Sequence, residues 1–438
     1  MMIRTMLYGG VAIALSVLAP PAIGYAQGSP SSPSPYLLVL AADADGQGED
    51  FFAVIDVAAN SPTVGKVVST RPFGHKKSMP HHMEYVLPER GHLVFANAHH
   101  AEATMLLDVS QAPALKVAKS LPLPNGLRFP HDYARLPTGN VLVGFLRSPG
   151  KSPAPDETVD PGGHGGIAEY TADGRLLRSA SAAVDGLAKP VRIYAMVPLI
   201  EQDRIVTTSA RMMEKHSANV IQIWRYSDFK LLKTIAVPAG KKVDGSALDW
   251  ANEMPFGPRL MADGSILMNS YMCGFYRITG IATEDPKVAH VYDIQGSDPA
   301  SLNTRVGCSV PVVIGSHWIM PVAWSEMVVT LDVSDPSSPR EIARLAMPDK
   351  FAAHWAARDP GSNRIVIGAE TEKERGLFVL LHDPVSGALS LDRSIGTAAA
   401  PGYIDMAGLN WPHGKSGGAI AHAALFMPAG KNDDRNAK

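Results

Sequence analysis

The chain is predicted to be all-β, a seven-bladed β-propeller closed by a C-terminal strand that joins the N-terminal blade. Three observations predict it. Short apolar runs alternate with turns rich in Gly, Asp, Pro and Asn, and no long stretch carries helical periodicity. A unit of four short strands recurs through most of the chain. A phrase of His, five residues and Pro returns at one place in that unit: His82–Pro88, His131–Pro137, His354–Pro360 and His422–Pro428. Arg192–Pro198 is a fifth copy with Arg in the His slot.

The elements follow in order. Met6 to Ala19 is mostly apolar and follows Arg4, and Gly24-Tyr25-Ala26 offers small residues where a signal peptidase reads. Residues 1–26 are therefore expected to be a secretory signal cleaved after Ala26. Pro20 and Pro21 interrupt the apolar run, which is short for a span of about 20 residues. No later segment is apolar enough to cross a bilayer, so no span is expected after cleavage and the mature protein is expected to be periplasmic or secreted. Residues 27–35 are Ser/Pro-rich and read as a flexible leader, and 429–438 as a disordered tail. The propeller is placed at 36–428.

The clearest unit is 79–122, with strands at Met83–Leu87, His92–Ala96, Thr104–Val109 and Leu115–Leu121. The same grammar returns in 307–346 as Val310–Ile314, Trp318–Val322, Met327–Val333 and Arg340–Leu345. Further units lie near 129–181, 190–238, 254–293 and 352–395. Residues 36–73 supply three strands, Tyr36–Ala41, Phe51–Val57 and Lys66–Thr70, but lack a first one. Ala421–Met427 is a first strand without followers. Together they complete the seventh blade, and ring closure hides the edges that an open sheet would expose.

In such a ring the first strand of each blade lines the central channel. His422, His82, His131 and His354 then belong to four consecutive blades and converge at the channel mouth. His81 adjoins them. The remaining slots hold Arg192, Gly257 and Ser309, so the far side is expected to be small or cationic. A single histidine at a strand start is usually ordinary packing. Four in one slot of a repeat point instead to a shared transition metal. An all-imidazole set suits copper or zinc, with iron or nickel as further options, and the absence of carboxylates from the slot argues against a calcium or magnesium centre. Glu84, Asp132, Tyr133 and Tyr194 are candidates for the surrounding shell. Arg192 is a candidate for steadying an anionic intermediate.

Loops expected on the same face hold His99 and His100, the Pro/Gly-rich stretch Ser148 to Gly166, and Arg211 to His216. For His99, His100 and His216 plain loop roles are favoured. His413, in the stretch before the closing strand, is a further candidate ligand or proton relay. Cys273 and Cys308 fall on that face of adjacent blades. They are read either as a disulfide or, less favoured, as a thiolate or redox pair. The charge is close to balanced, 40 Lys and Arg against 42 Asp and Glu, which gives no electrostatic case for nucleic acid.

Phe51-Phe52-Ala53-Val54-Ile55-Asp56-Val57, Ser61-Pro62, Pro80-His81-His82, Phe129-Pro130-His131 and Leu331-Asp332-Val333-Ser334-Asp335-Pro336 occur in an order that resembles the selenium-binding protein / methanethiol oxidase family. The resemblance is diffuse and runs from about residue 36 to the C-terminus. It implies a seven-bladed propeller, copper dependence, and oxidation of methanethiol to formaldehyde, hydrogen sulfide and hydrogen peroxide. His81, His82 and His131 match family positions implicated in metal binding. The cysteine that carries selenium in animal members aligns with Val39, a second histidine near His131 is replaced by Ala134, and the family's C-terminal histidine motif is replaced by 407–415. A fourth ligand must then come from His354, His413 or His422.

The leading expectation is thus a secreted copper-binding propeller that oxidises a small thiol or related molecule. Its rival is a non-catalytic copper carrier or protein-interaction propeller, since fold alone does not decide activity. A quinone-dependent dehydrogenase is disfavoured by the lack of a recurrent Trp-docking repeat.

Overall fold

The computed structural model describes residues 32–149, 163–212, 214–242, 245–294, 307–371 and 373–430. The expected signal peptide, most of the expected leader, the centre of the 148–166 stretch and nearly all of the expected tail lie outside the described residues. Blade 1 is built from Phe51–Asp56, Tyr36–Asp43 and Val67–Pro72, with Ala419–Met427 as its innermost strand. Blades 3, 4, 5, 6 and 7 start at Arg128, Ile193, Pro255, Val312 and Ala353, and each contributes four consecutive antiparallel strands. Blade 2 has three regular strands, Leu93–Ala98, Ala103–Gln111 and Ala114–Ser120. Among the described residues, helix is confined to short 3₁₀ turns.

Burial explains the strand patterns. Middle strands such as Phe51–Asp56 and Val141–Arg147 are buried throughout, because blades pack on both of their faces. Outer strands alternate, as in Arg340–Ala346. The apolar cores lie between neighbouring blades. Leu142 and Ile167 of blade 3 pack with Ile193, Ile205 and Trp224 of blade 4, and Ile319 and Val328 of blade 6 pack with Ile365, Ile367 and Phe378 of blade 7.

Closure follows the expected route. Ala419–Met427 pairs antiparallel with Tyr36–Asp43, from Tyr36 opposite Met427 to Asp43 opposite Ala419. A buried clasp reinforces it: Arg364 of blade 7 donates to the carbonyls of Val57 (2.6 Å) and Ser34 (2.5 Å) and to Asp359 (2.7 Å). Cys273 and Cys308 form a disulfide between blades 5 and 6, so no free thiolate pair exists there.

One expected strand is reduced. Met83–Leu87 survives as a single bridge from Met83 to Ala96. The Glu84 carboxylate accepts the Phe95 N–H (3.0 Å) and binds Arg135 of blade 3 through two contacts of 2.7 Å. A side chain thus takes a donor that a strand ladder would use.

Candidate metal centre

The histidine slot is a β-bulge. In blade 3 Pro130 faces Phe145 and Asp132 faces Gly144, which leaves His131 extra. In blade 1 Ala421 faces Ala41 and Ala423 faces Leu40, which leaves His422 extra. In blade 7 His354 and Trp355 lie between the Ala353–Ala369 and Ala356–Ile367 pairs. An extra residue bends the strand and re-aims its side chain. Here the bulges bring His354 and His422 together at the axis. Just before the blade 2 bridge, Asn97 fixes the neighbouring pair: its Oδ1 accepts the backbone N–H of both His81 and His82 at 2.9 Å.

His81, His82, His354 and His422 each offer a ring nitrogen, all within 4.8 Å of one another, and all four residues are buried. Ring centroids are 4.0 Å apart for His81–His422, 4.1 Å for His354–His422 and 4.3 Å for His81–His82. Neither ring nitrogen of His81 or His82 has a hydrogen-bond partner, and Nε2 of His131, His354 and His422 has none. The opposite nitrogens of the last three are held. His131 Nδ1 bonds the Tyr194 carbonyl (2.7 Å), His422 bonds the backbone of Ala369, and His354 Nδ1 contacts the Glu370 carboxylate. Such an outer bond fixes the tautomer and frees the other nitrogen as a ligand. Glu370 also accepts the Tyr271 hydroxyl (3.2 Å), which in turn accepts the Trp324 indole N–H (2.8 Å). Burial holds the imidazoles of His81, His82 and His422 well below their usual pKa, and their mutual repulsion as cations adds to it. The His131 ring is lowered to about 3, again by burial. Buried imidazoles that each keep at least one unbonded ring nitrogen fit a borderline or soft transition metal.

The approach is one-sided. A cavity of about 460 Å³ is lined by His81, His354 and His422, by Tyr194, Phe256 and Tyr271, and by Met79, Met212 and Met254, with Lys77 and Arg211 among its charged groups. Trp355 meets His82 edge-on at 5.4 Å and stacks flat on Tyr85 at 5.2 Å, and neither Trp355 nor Tyr85 lines the cavity. The Tyr85 hydroxyl donates to Asp132 (2.7 Å), whose carboxyl burial pushes up to about 6.

The predicted residues separate accordingly. His131 lies beside the four-histidine group, 4.2 Å from His82 between centroids, but does not belong to it. Arg192 does not occupy the slot. Its guanidinium donates to the carbonyls of His216 (3.0 Å), Leu146 (3.2 Å) and Gly163 (3.4 Å), and it is not among the residues lining the cavity. The blade 4 bulge holds Tyr194 and Ala195, and that of blade 5 holds Phe256 and Gly257. Tyr194 and Phe256 pack at 3.7 Å, so the far side of the site is aromatic rather than small or cationic. His413 lies at the outer edge of blade 1, bonded through Nδ1 to Thr70 Oγ1 (2.7 Å) of the outermost strand and packed on Phe51. Sequence reasoning missed Glu370. Its one signal is its place just after Ala369, which pairs with the residue preceding His354.

The fold and site define a propeller with a buried imidazole cluster at its axis. No protein-family model and no curated protein matches the chain. Among solved structures, it is similar to a hypothetical selenium-binding protein from Sulfolobus tokodaii, with TM-score 0.66 and 14% identity over 90% of this chain and 94% of that one. It is also similar to a periplasmic gluconolactonase from Pseudomonas aeruginosa, with TM-score 0.58 and 14% identity over 84% and 97% of the two chains. A putative 6-phosphogluconolactonase from Bacteroides uniformis aligns with TM-score 0.56 and 12% identity over 84% and 98%. At these identities the likeness establishes the fold alone.

Proposed function

We propose that this is an exported copper-binding propeller of the selenium-binding protein / methanethiol oxidase type, which oxidises a small thiol or related substrate with oxygen. The observation that carries the reading is the buried group His81, His82, His354 and His422, its ring nitrogens within 4.8 Å of one another. An all-nitrogen, carboxylate-free set favours copper over magnesium or calcium, with zinc the nearest competitor. Copper held by these residues would supply one-electron exchange with dioxygen. The chain's own residues do the rest. Glu370, Tyr194 and Ala369 orient the imidazoles that they touch. Tyr194, Phe256 and the three methionines present a soft apolar wall to a substrate in the cavity, whose volume suits a small molecule. Two features support export: the apolar N-terminal segment and a disulfide of a kind that persists in oxidising compartments.

The test is elemental analysis of the purified protein, followed by oxygen uptake with methanethiol after copper loading. We expect bound copper and thiol-dependent uptake, both strongly reduced in His82→Ala. Copper binding without uptake for any small thiol would replace the oxidase reading with a carrier. Failure to bind copper at all would overturn both.

A further inference from the structure

A line of touching rings leads from the metal centre toward solvent without entering the cavity. The indole of Trp355 meets the His82 ring edge-on, centroids 5.4 Å apart, and stacks on Tyr85 at 5.2 Å with the two planes 9° from parallel. Trp355 is fully buried, Tyr85 is part-buried, and the next residue, Val86, is 60% exposed. Neither Trp355 nor Tyr85 lines the cavity. The rings thus join a histidine of the buried group to the surface by a route that a substrate in the cavity does not occupy.

The two outer rings differ in where their protons sit. Trp355 Nε1 donates to the carbonyl of Ala424 (2.9 Å), a weak base, so the indole keeps its proton. The Tyr85 hydroxyl donates to Oδ1 of Asp132 at 2.7 Å, within reach of direct proton transfer. Asp132 is buried, and its Oδ2 accepts the Met196 N–H (2.8 Å), which holds the carboxylate in place. The Arg259 guanidinium lies over the Tyr85 ring, 4.7 Å from its centroid, and is anchored to the Pro311 carbonyl (2.7 Å). A fixed cation there opposes positive charge on the ring, so a Tyr85 that gives up an electron gives up its proton with it. Two other tyrosines near the axis are less suited. Tyr194, packed on His131, has no partner for its hydroxyl among the described residues. The Tyr271 hydroxyl donates to Glu370 at a longer 3.2 Å, and that carboxylate already contacts His354.

We propose that Trp355 and Tyr85 form a one-electron relay, through which the protein reduces hydrogen peroxide with electrons from an outside reductant. The inference rests on the metal centre proposed above, which supplies one-electron exchange at the inner end. One electron leaves Tyr85, passes through Trp355 and His82, and is taken up by peroxide in the cavity. The phenolic proton goes to Asp132, and Tyr85 is left as a neutral phenoxyl radical. The reductant returns the electron to Tyr85, and Asp132 returns the proton. Two such turns deliver two electrons. With two protons from solvent they break the O–O bond of one hydrogen peroxide and give two waters. The reductant is a one-electron donor of the ascorbate or ferrocyanide class, an anion that the part-exposed Arg259 beside Tyr85 attracts.

The experiment mixes copper-loaded, full-length protein with hydrogen peroxide, freeze-quenches it and records electron paramagnetic resonance. A tyrosyl radical is expected in the wild type. Its loss is expected in Tyr85→Phe, which keeps the stacked ring and should retain the wild-type copper content. In the steady state, ferrocyanide oxidation by peroxide is expected to fall in Tyr85→Phe to the level of protein without copper. The wild-type radical is also captured with a nitrone spin trap and mapped by mass spectrometry, with the adduct expected on Tyr85; this locates it even if the variant fails to fold. The absence of a radical, a radical that survives in Tyr85→Phe, or an adduct on Tyr271 instead of Tyr85 overturns the relay and leaves the metal centre standing. Protein that binds no copper overturns the proposed function itself, and the relay with it.

Discussion

Gly368→Ala is expected to disable the metal centre while removing none of its histidines. Gly368 lies on the second strand of blade 7, Arg364–Ala369, opposite the bulge that carries His354. A Cβ there would sit 2.0 Å from the carbonyl oxygen of His422 and 3.3 Å from Trp355 Cβ. Real Cβ atoms do not approach within 3.0 Å, so the His422 peptide must withdraw by at least 1.0 Å. The contact is with backbone, so a rotamer change does not relieve it. The same withdrawal strains the bond from the His422 ring to Ala369, the next residue. Metal–ligand distances tolerate only about 0.2 Å, so a displacement several times larger separates His422 from His354 and His81 as partners on one ion. Losing the orienting bond alone costs about 10–100-fold in metal affinity, and the overpacking about 1–3 kcal/mol of stability. The assay is competitive copper titration against a chelator, paired with chemical denaturation. Gly408→Ala, where an added Cβ meets nothing within 4 Å, is the control. Wild-type copper affinity in Gly368→Ala would refute the argument that this contact places His422.

Two further outcomes follow from the same geometry. The disulfide closes a loop with a sequence separation of 35, for which chain entropy gives about 4 kcal/mol; Cys273→Ala/Cys308→Ala should lower the denaturation midpoint accordingly, and an unchanged midpoint would show that the crosslink contributes nothing. Five buried histidines, His81, His82, His99, His131 and His422, have folded-state pKa values below their ordinary 6.5, with burial the first cause in each case. Below that pH the unfolded chain binds protons that the fold refuses, so stability falls as pH falls, by about 1.4 kcal/mol per unit for each such group. The metal-free protein should therefore show a clearly lower urea midpoint at pH 5.5 than at pH 7.5, an effect that copper loading reduces; equal midpoints in the metal-free form would contradict the lowered pKa values that burial gives these rings.

Much of this site was legible in the chain because the repeat and its bulges share one spacing. The phrase from His to Pro spans the inner strand, and in blades 1, 3 and 7 its first residue falls in the bulge, so His422, His131 and His354 could be aligned by eye. Blade 4 breaks the correspondence. Its Pro198 anchors the same phrase, yet the bulge takes Tyr194 and Ala195, two residues after Arg192. Arg192 instead binds backbone carbonyls of blades 3 and 4. Register along a strand is set by pairing with the neighbour, and a phrase read on one strand does not contain it. Glu370 and Asn97 were hidden for a related reason. Each lies at or just beyond the end of a second strand and acts on residues of the inner one, a relation that only the folded blade supplies.

That displaced register changes what the site can do. With Arg192 at the axis, the wall facing the imidazoles would carry a fixed positive charge beside any bound cation, and the two would repel. With Tyr194 and Phe256 there, that part of the wall carries no charge, and Tyr194 also supplies the carbonyl that holds His131. An uncharged neighbour leaves the attraction between a metal cation and its nitrogen donors unopposed. The aromatic half and the imidazole half are therefore two parts of one device: the first presents an uncharged face, and the second presents ring nitrogens that have no other partner.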